Sequence, residues 1–217
     1  MTPAFHNQVF INCPFDKEYK SLLNPLIFTI VKFGFIPRIA SESSDSGTPR
    51  LEKLFDLIQE CRFSIHDLSR IQSKKSKEYY RLNMPFELGL DYALKKFEQK
   101  LADKRFLILT EKPHDYMKAI SDINGLDIKN HANDPKQIVE CIWSWFIENV
   151  GLRNLGSPLH IWYLFTDFNS ALFEKKFKIY ISLYPFDTAE SIAKYEIESL
   201  PIPEYLDEVR NFLNVGL

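Results

Sequence analysis

The sequence predicts a doubly wound α/β fold, a parallel five-stranded sheet covered by helices on both faces. Three observations predict it. Short runs rich in β-branched and aromatic residues alternate five times, over residues 8–150, with segments of helical apolar spacing. The connections between them are short, so each strand returns through a right-handed helical crossover to lie parallel to the last. Polar, loop-forming residues gather after the strands, where ligands of such sheets sit, at the point where the strand order reverses.

The first strand is Val9-Phe10-Ile11-Asn12-Cys13, stopped by Pro14, and a helix follows from about Lys17 to Phe33 with Leu22, Leu23, Leu26, Ile27, Ile30 and Val31 inward. Pro25 removes a backbone donor within it, and Gly34 ends it. Phe35–Ala40 is a second strand, whose Pro37 places it near a sheet edge. The polar loop 41–48 precedes Pro49, which opens a helix to about Glu60. Phe63–Leu68 is the third strand, with Asp67 near its carboxyl end, and the basic loop Ser69–Asn83 carries Lys74, Lys75 and Lys77. A helix starts near Met84, with Asn83 as its cap and Phe86, Leu90, Ala93, Leu94 and Phe97 facing a core, and Gly89 allows close approach of another backbone. Arg105–Leu109 is the fourth strand. A helix from Tyr116, an extended piece over 126–129 and a helix from Pro135 to Val150 complete this part.

Past Gly151 the segments shorten between Gly156, Pro158, Pro185, Pro201 and Pro203, so the boundary is drawn there. Residues 1–150 form the α/β domain and 151–217 a small, mainly helical, aromatic-rich module that packs on the sheet or on a second copy of the chain. Helices are expected over 160–177, 188–199 and 203–212, with 178–183 a strand or a continuation of the helix before it.

Composition removes several function classes. A net charge of −2 gives no basic excess for nucleic acid. The first eight residues lack a charged region followed by an apolar one, and no apolar run approaches the roughly 20 residues of a membrane span, so a cytoplasmic protein without a membrane partner is expected. Cys13, Cys61 and Cys141 lie in or beside apolar runs and read as buried thiols, and five scattered histidines give no metal-ligand spacing. The phosphate cradles of nucleoside triphosphatases and dinucleotide-binding Rossmann domains are absent, as is the nucleophile elbow of serine hydrolases.

What remains is a set of acids at strand ends. Glu87 falls in the first turn of a helix directly after a polar loop, where an acid ordinarily complements the macrodipole for about 0.3–1 kcal/mol. Glu87 and Asp91, one turn apart, share a face away from the expected core, and Asp67 ends a strand, where its ordinary role is to cap the turn at Ser69. With strands and helices alternating in this way, three acids, Asp16, Asp67 and Glu87, and two polar loops are expected to converge.

The strand running into Pro14-Phe15-Asp16, the strand ending in Asp67 and the helix opening Met84-Pro85-Phe86-Glu87-Leu88-Gly89 together resemble the nucleoside 2-deoxyribosyltransferase-like superfamily and, equally, bacterial TIR-type domains. The resemblance covers residues 8–150 and implies a flavodoxin-like sheet, with Glu87 at the position of the glutamate that breaks an N-glycosidic bond. Such cleavage builds positive charge on the ribose, which a carboxylate stabilises or attacks. The resemblance further implies Asp67 as a second catalytic group and Asn12, Phe15, Asp16, Arg38, Glu42, Asp45 and Asn83 as ribose, phosphate or base contacts, with Phe10 or Phe15 as a stacking surface. Arg81-Leu82-Asn83 replaces the acidic stretch of the transferases, and Phe10 stands where they carry a tyrosine. The shorter motif fits a TIR-like NAD glycohydrolase or cyclase, as in bacterial anti-phage defence, with NAD as substrate, no cofactor, and a site completed in a homo-oligomer. The alternative is a non-catalytic module that binds a nucleotide signal and relays it to a partner.

Overall fold

A computed structural model describes residues 3–40, 46–70 and 82–215. The chain runs β1 (Gln8–Asn12), α1 (Lys20–Lys32), β2 (Ile36–Ile39), α2 (Arg50–Glu60), β3 (Phe63–Asp67), α3 (Asn83–Phe97), β4 (Arg105–Thr110), β5 (Ile128–Asn130), α4 (Pro135–Trp145), α5 (Pro158–Ile181), α6 (Phe186–Ser199) and α7 (Ile202–Leu213). The five strands form one sheet in the order β2-β1-β3-β4-β5, every pair parallel, which is the flavodoxin-like order. β2 lies on one side of β1 and β3 on the other, so the switch point falls between β1 and β3. Pro37 sits on the edge strand β2, where a missing donor leaves the rest of the ladder intact.

Strand alternation sorts the faces. Val9, Ile11, Cys13, Phe63, Ile65, Leu107 and Leu109 enter one apolar core with α1 and α4. That same core takes in Ile161, Phe165, Phe168 and Leu172 of α5 and Tyr205, Leu206 and Val209 of α7. The C-terminal helices therefore pack on α1 and α4, the helix layer of this face. On the other face Phe10 packs with Leu54, Ile58, Leu90 and Leu94, and Ile108 with Met84, Leu88 and Tyr116.

Helix ends follow local chemistry. α1 stops in a Schellman turn: Gly34, at φ 82°, donates to the Val31 carbonyl, and Phe35 donates to that of Ile30. Pro25 stays inside α1, where the Thr29 hydroxyl donates to the Pro25 carbonyl at 2.7 Å. Asp134 caps α4 by accepting from the Lys136 amide at 2.8 Å, with Pro135 at the first helical position.

Several expectations are corrected. α1 begins at Lys20 rather than Lys17. The segment from Tyr116 is not an α-helix but two 3₁₀ turns, Asp115–Lys118 and Ser121–Ile123, because Ser121-Asp122-Ile123-Asn124-Gly125 is turn chemistry and Gly125 has φ 99°. Residues 178–181 continue α5. α3 meets its expected phase only in part: Leu90 and Leu94 pack on the core as expected, but Met84, Glu87, Leu88 and Asp91 are its buried residues, while Phe86 is 54% exposed and Phe97 82%. The sheet beneath α3 is mixed, with Asn12, Ser64 and His66 beside Phe10 and Ile108 on that face, and Asp91 of the helix meets His66. Gly89 is exposed, and a Cβ there would meet nothing within 4 Å, so the close approach expected of it is not made. Asn83 is the first helical residue and makes no capping bond, the preceding Leu82 being helical itself.

The shared core gives a direct expectation. Phe28 of α1 is fully buried, its ring 5.5 Å from that of Phe165 and 5.6 Å from that of Phe168. Phe28→Ala should destabilise by about 3–5 kcal/mol. Urea unfolding should show a single transition at lower midpoint with unchanged slope; two transitions, only one of them displaced, would contradict a common core.

Candidate functional site

The loops after β1 and β3 leave the sheet on either side of the switch point, and Asp16, Asp67 and Glu87 come with them. The thiol of Cys13, fully buried, feels all three: its pKa is raised well above the ordinary value by burial first, then by the charges of Asp67, Glu87 and Asp16. Cys13 thus stays protonated at the place where the acids meet.

Asp67 is fully buried at the end of β3, and its oxygens are occupied. Oδ1 accepts from the Ser69 amide at 2.8 Å and from the Ser69 hydroxyl; Oδ2 accepts from the Tyr19 hydroxyl and lies 3.1 Å from His131 Nε2. His131 Nδ1 accepts from the Asn133 amide at 3.1 Å, so the proton sits on Nε2, facing Asp67 and the Ser69 oxygen 2.8 Å away. Burial alone would raise the Asp67 pKa, but hydrogen bonds from His131, Ser69 and Tyr19 hold it below the ordinary value. The turn-capping role at Ser69 is present, within a larger constellation that orients Tyr19 and His131.

Asp16 ties the two loops together. Its Oδ1 accepts from the Tyr19 amide at 2.9 Å and from Arg70 Nη2 at 3.1 Å, and Arg70 Nη1 reaches Glu18 at 3.3 Å. A guanidinium from the loop after β3 thus rests on the loop after β1.

Glu87, the fifth residue of α3, stands apart from these saturated acids. It is 4% exposed, and among the described residues its polar neighbour is Arg50 Nη2, at 3.9 Å, too far for a hydrogen bond. Burial raises its pKa to about 7 against the lowering charge of Arg50. The first-turn position expected of it is corrected: α3 already begins at Asn83, and a position past the first turn weakens the macrodipole as its reason for being there. A carboxyl poised near neutrality can exist in either protonation state at physiological pH and responds strongly to any cation brought beside it.

Beneath Glu87 runs a buried relay. Asn12 Nδ2 donates to the Met84 carbonyl at 2.9 Å and to His66 Nδ1 at 3.0 Å, which fixes the amide orientation and puts the His66 proton on Nε2, 3.1 Å from Asp91 Oδ2. Lys104 Nζ lies 3.2 Å from Asp91 Oδ1 and donates to the carbonyls of Ile58 and Cys61. Burial would raise the Asp91 pKa; the His66 hydrogen bond and the Lys104 charge bring it below the ordinary value.

Of the other residues expected at the site, Phe15 is 39% exposed on the loop after β1. Arg38 lies elsewhere: its Nη1 donates to Gln8 at 2.6 Å and Glu60 at 3.0 Å, at the amino-terminal edge of the strands. Phe10 is fully buried in the core beside His66, so it offers no stacking face. Asn83 is exposed at the start of α3. Glu42, Asp45, Lys74, Lys75 and Lys77 lie outside the described residues. Sequence reasoning missed Tyr19, Arg70, Arg50 and His131, and took Ser69 only as the turn that Asp67 caps. The strand-end rule could have found His131, which directly follows β5. Among the described residues no three His, Cys, Asp or Glu side chains are grouped to hold a metal ion, and no helix is long and apolar enough to cross a membrane.

The raised pKa of Glu87 has a stability consequence. Between about 4.5 and about 7 the folded chain holds a proton there that the unfolded chain has lost, so stability falls as pH rises through this window. Glu87→Gln should remove that slope and be more stable than wild type at pH 8 by up to roughly 3 kcal/mol, with little difference at pH 4.5. Urea midpoints at the two pH values check it; a Gln variant less stable at both would contradict the buried, unsolvated carboxyl.

Comparison of the chain with protein-family models, with curated proteins and with solved structures finds no match, which leaves the site to be read on its chemistry.

Proposed function

We propose that the protein breaks the N-glycosidic bond of NAD or a related nucleotide, with Glu87 as the catalytic carboxylate. The observation that carries this reading is the buried Glu87 carboxyl at the switch point, held at a pKa of about 7 and engaged by no hydrogen bond among the described residues. A carboxyl in that setting is held in reserve for a positive charge. A nicotinamide nucleotide brings one: the pyridinium cation beside Glu87 favours its ionised form, and a proton leaves as the ligand binds. As the C1′–N bond breaks, its electron pair goes with the departing nicotinamide and positive charge develops on C1′ and the ring oxygen. The carboxylate then stabilises the oxocarbenium or forms a bond to it, and water completes hydrolysis with its proton passing to solvent. An intramolecular nucleophile at the same step gives a cyclic product instead.

Asp67 enters through its neighbours. With its lone pairs taken, it orients Tyr19, Ser69 and His131 rather than touching the ribose, while Arg70 supplies positive charge suited to a phosphate. Defence against phage and assembly into a homo-oligomer belong to the same proposal, on the strength of the resemblance alone.

The test is incubation with NAD, following nicotinamide release. Glu87→Gln should reduce release by at least about 100-fold, the scale of losing one electrostatic stabiliser. In wild type kcat/KM should fall about tenfold per pH unit below about 7, as Glu87 of the free protein becomes protonated. Equal release by both proteins removes Glu87 from the mechanism. Stabilisation by ligand without release, about 2.7 kcal/mol at a 100-fold excess over Kd, supports the non-catalytic nucleotide-binding module instead.

A further inference from the structure

α3 carries apolar side chains on two sides, and its own fold covers one of them. Met84, Leu88 and Asp91 are buried on the sheet side, and Leu90 and Leu94 pack with Leu54 and Ile58 of α2. On the opposite side Leu82, Phe86, Gly89, Ala93 and Phe97 follow one another at spacings of three and four residues, which places them in a single stripe. Leu82 belongs to it because its backbone is already helical. Leu82 is 62% exposed, Phe86 54% and Phe97 82%, and Tyr92, 50% exposed, flanks them. With roughly 150–250 Å² for each large side chain, the four open on the order of 500 Å² of apolar surface, near the upper end of what a monomer shows. No charged residue interrupts the stripe.

The order of sizes along the stripe identifies what covers it. Laid antiparallel on a copy of itself, about a twofold axis between Gly89 and Leu90, α3 brings Phe86 over the partner's Ala93 and Leu82 against the partner's Phe97. Both pairings share that one midpoint, so large meets small twice, as a twofold contact requires of a patch that must fit itself. Gly89 falls at the crossing. A Cβ there would meet nothing within 4 Å of its own chain, and glycine inside a helix costs stability, so the fold itself gives no reason for it. A crossing helix does, because a bare backbone lets two helices approach closely. Tyr92, Asn83 and Lys96, exposed at the margins, extend the patch toward the roughly 800 Å² that each partner buries in a standard dimer.

We infer that the protein pairs with a second copy of itself through the outer face of α3, the two helices antiparallel and crossing at Gly89. The inference gives the assembly proposed above a surface and a register, and it rests on the stripe rather than on the chemistry of Glu87. Glu87 is buried on the sheet side of α3, away from this contact, so pairing bears on the helix that carries the carboxyl and not on the carboxyl itself.

Sedimentation velocity of the full chain from about 1 to 100 μM should show a monomer–dimer equilibrium. Phe86→Lys and Phe97→Lys, both at exposed positions, should each weaken it by at least about 100-fold, because each sets two cations into the apolar contact. Gly89→Leu should weaken pairing as strongly while raising the Tm of the dilute monomer, leucine being the better helix former where space is open. The register is tested by cross-linking, since Cys13, Cys61 and Cys141 are all buried. Mild oxidation should join two chains of the double variant Leu82→Cys/Phe97→Cys and leave the single variant Leu82→Cys unlinked. A monomer at every concentration, which leaves the stripe to a different protein, overturns the inference. So does a dimer that the two lysine variants and Gly89→Leu leave intact, or one in which Leu82→Cys links to itself. None of these readings involves a nucleotide, so the pairing stands or falls apart from cleavage at Glu87.

Discussion

One side-chain amide sets the geometry on which the site depends. Asn12, at the end of β1, is almost fully buried and binds at once the imidazole of His66 on β3 and the Met84 carbonyl in the first turn of α3. The two central strands and the helix carrying Glu87 are thereby held in one register. A buried amide is expensive to leave unpaired, so alternatives in which α3 slides or turns lose these bonds without compensation. The relay beyond it, through His66 and Asp91 to Lys104, extends the same logic to the back of the sheet. Removing Lys104 alone would leave a buried carboxylate uncompensated, a loss on the order of 3–5 kcal/mol for pairs of this kind. The polar face under α3 acts through specificity of placement rather than through net stabilisation.

Two buried acids close together receive opposite treatment. Asp67 is surrounded by donors and kept ionised; Glu87 is buried with a guanidinium beyond hydrogen-bond reach as its polar neighbour among the described residues, and kept near neutrality. The first is a fixed anion that orders Tyr19, Ser69 and His131. The second is the group whose charge changes when something cationic arrives. Divergent environments for neighbouring titratable groups are the usual physical basis for assigning them different roles.

Much of the architecture was legible in the chain. Alternating strand and helix patterns gave the parallel sheet, Pro37 marked an edge strand and Gly34 the end of a helix, because each rests on local rules of spacing and backbone conformation. The phase of α3 was legible only in part: Leu90 and Leu94 meet the core, but apolar periodicity assumes an apolar partner throughout, and Asn12, Ser64 and His66 make part of the surface beneath it polar. The segment at Tyr116 carried helical spacing in Tyr116, Ile120 and Ile123, yet turn chemistry prevailed. At the site, strand-end acids were readable because topology brings strand ends together. Their partners were not: Tyr19, Arg50 and Arg70 come from loops and helix starts whose directions depend on tertiary packing. His66 and Asp67 are adjacent in sequence but face opposite sides of the sheet, so one joins the relay and the other the mouth.

The central claim is that one carboxyl group, Glu87, is kept at the mouth of the sheet with its proton near balance at neutral pH. Carbon-detected NMR titration of the side-chain carboxyl resonances, with the Glu87 signal identified by its loss in Glu87→Gln, measures this directly. The account predicts a midpoint near 7. A midpoint near 4.5, that of an ordinary solvated glutamate, would contradict it.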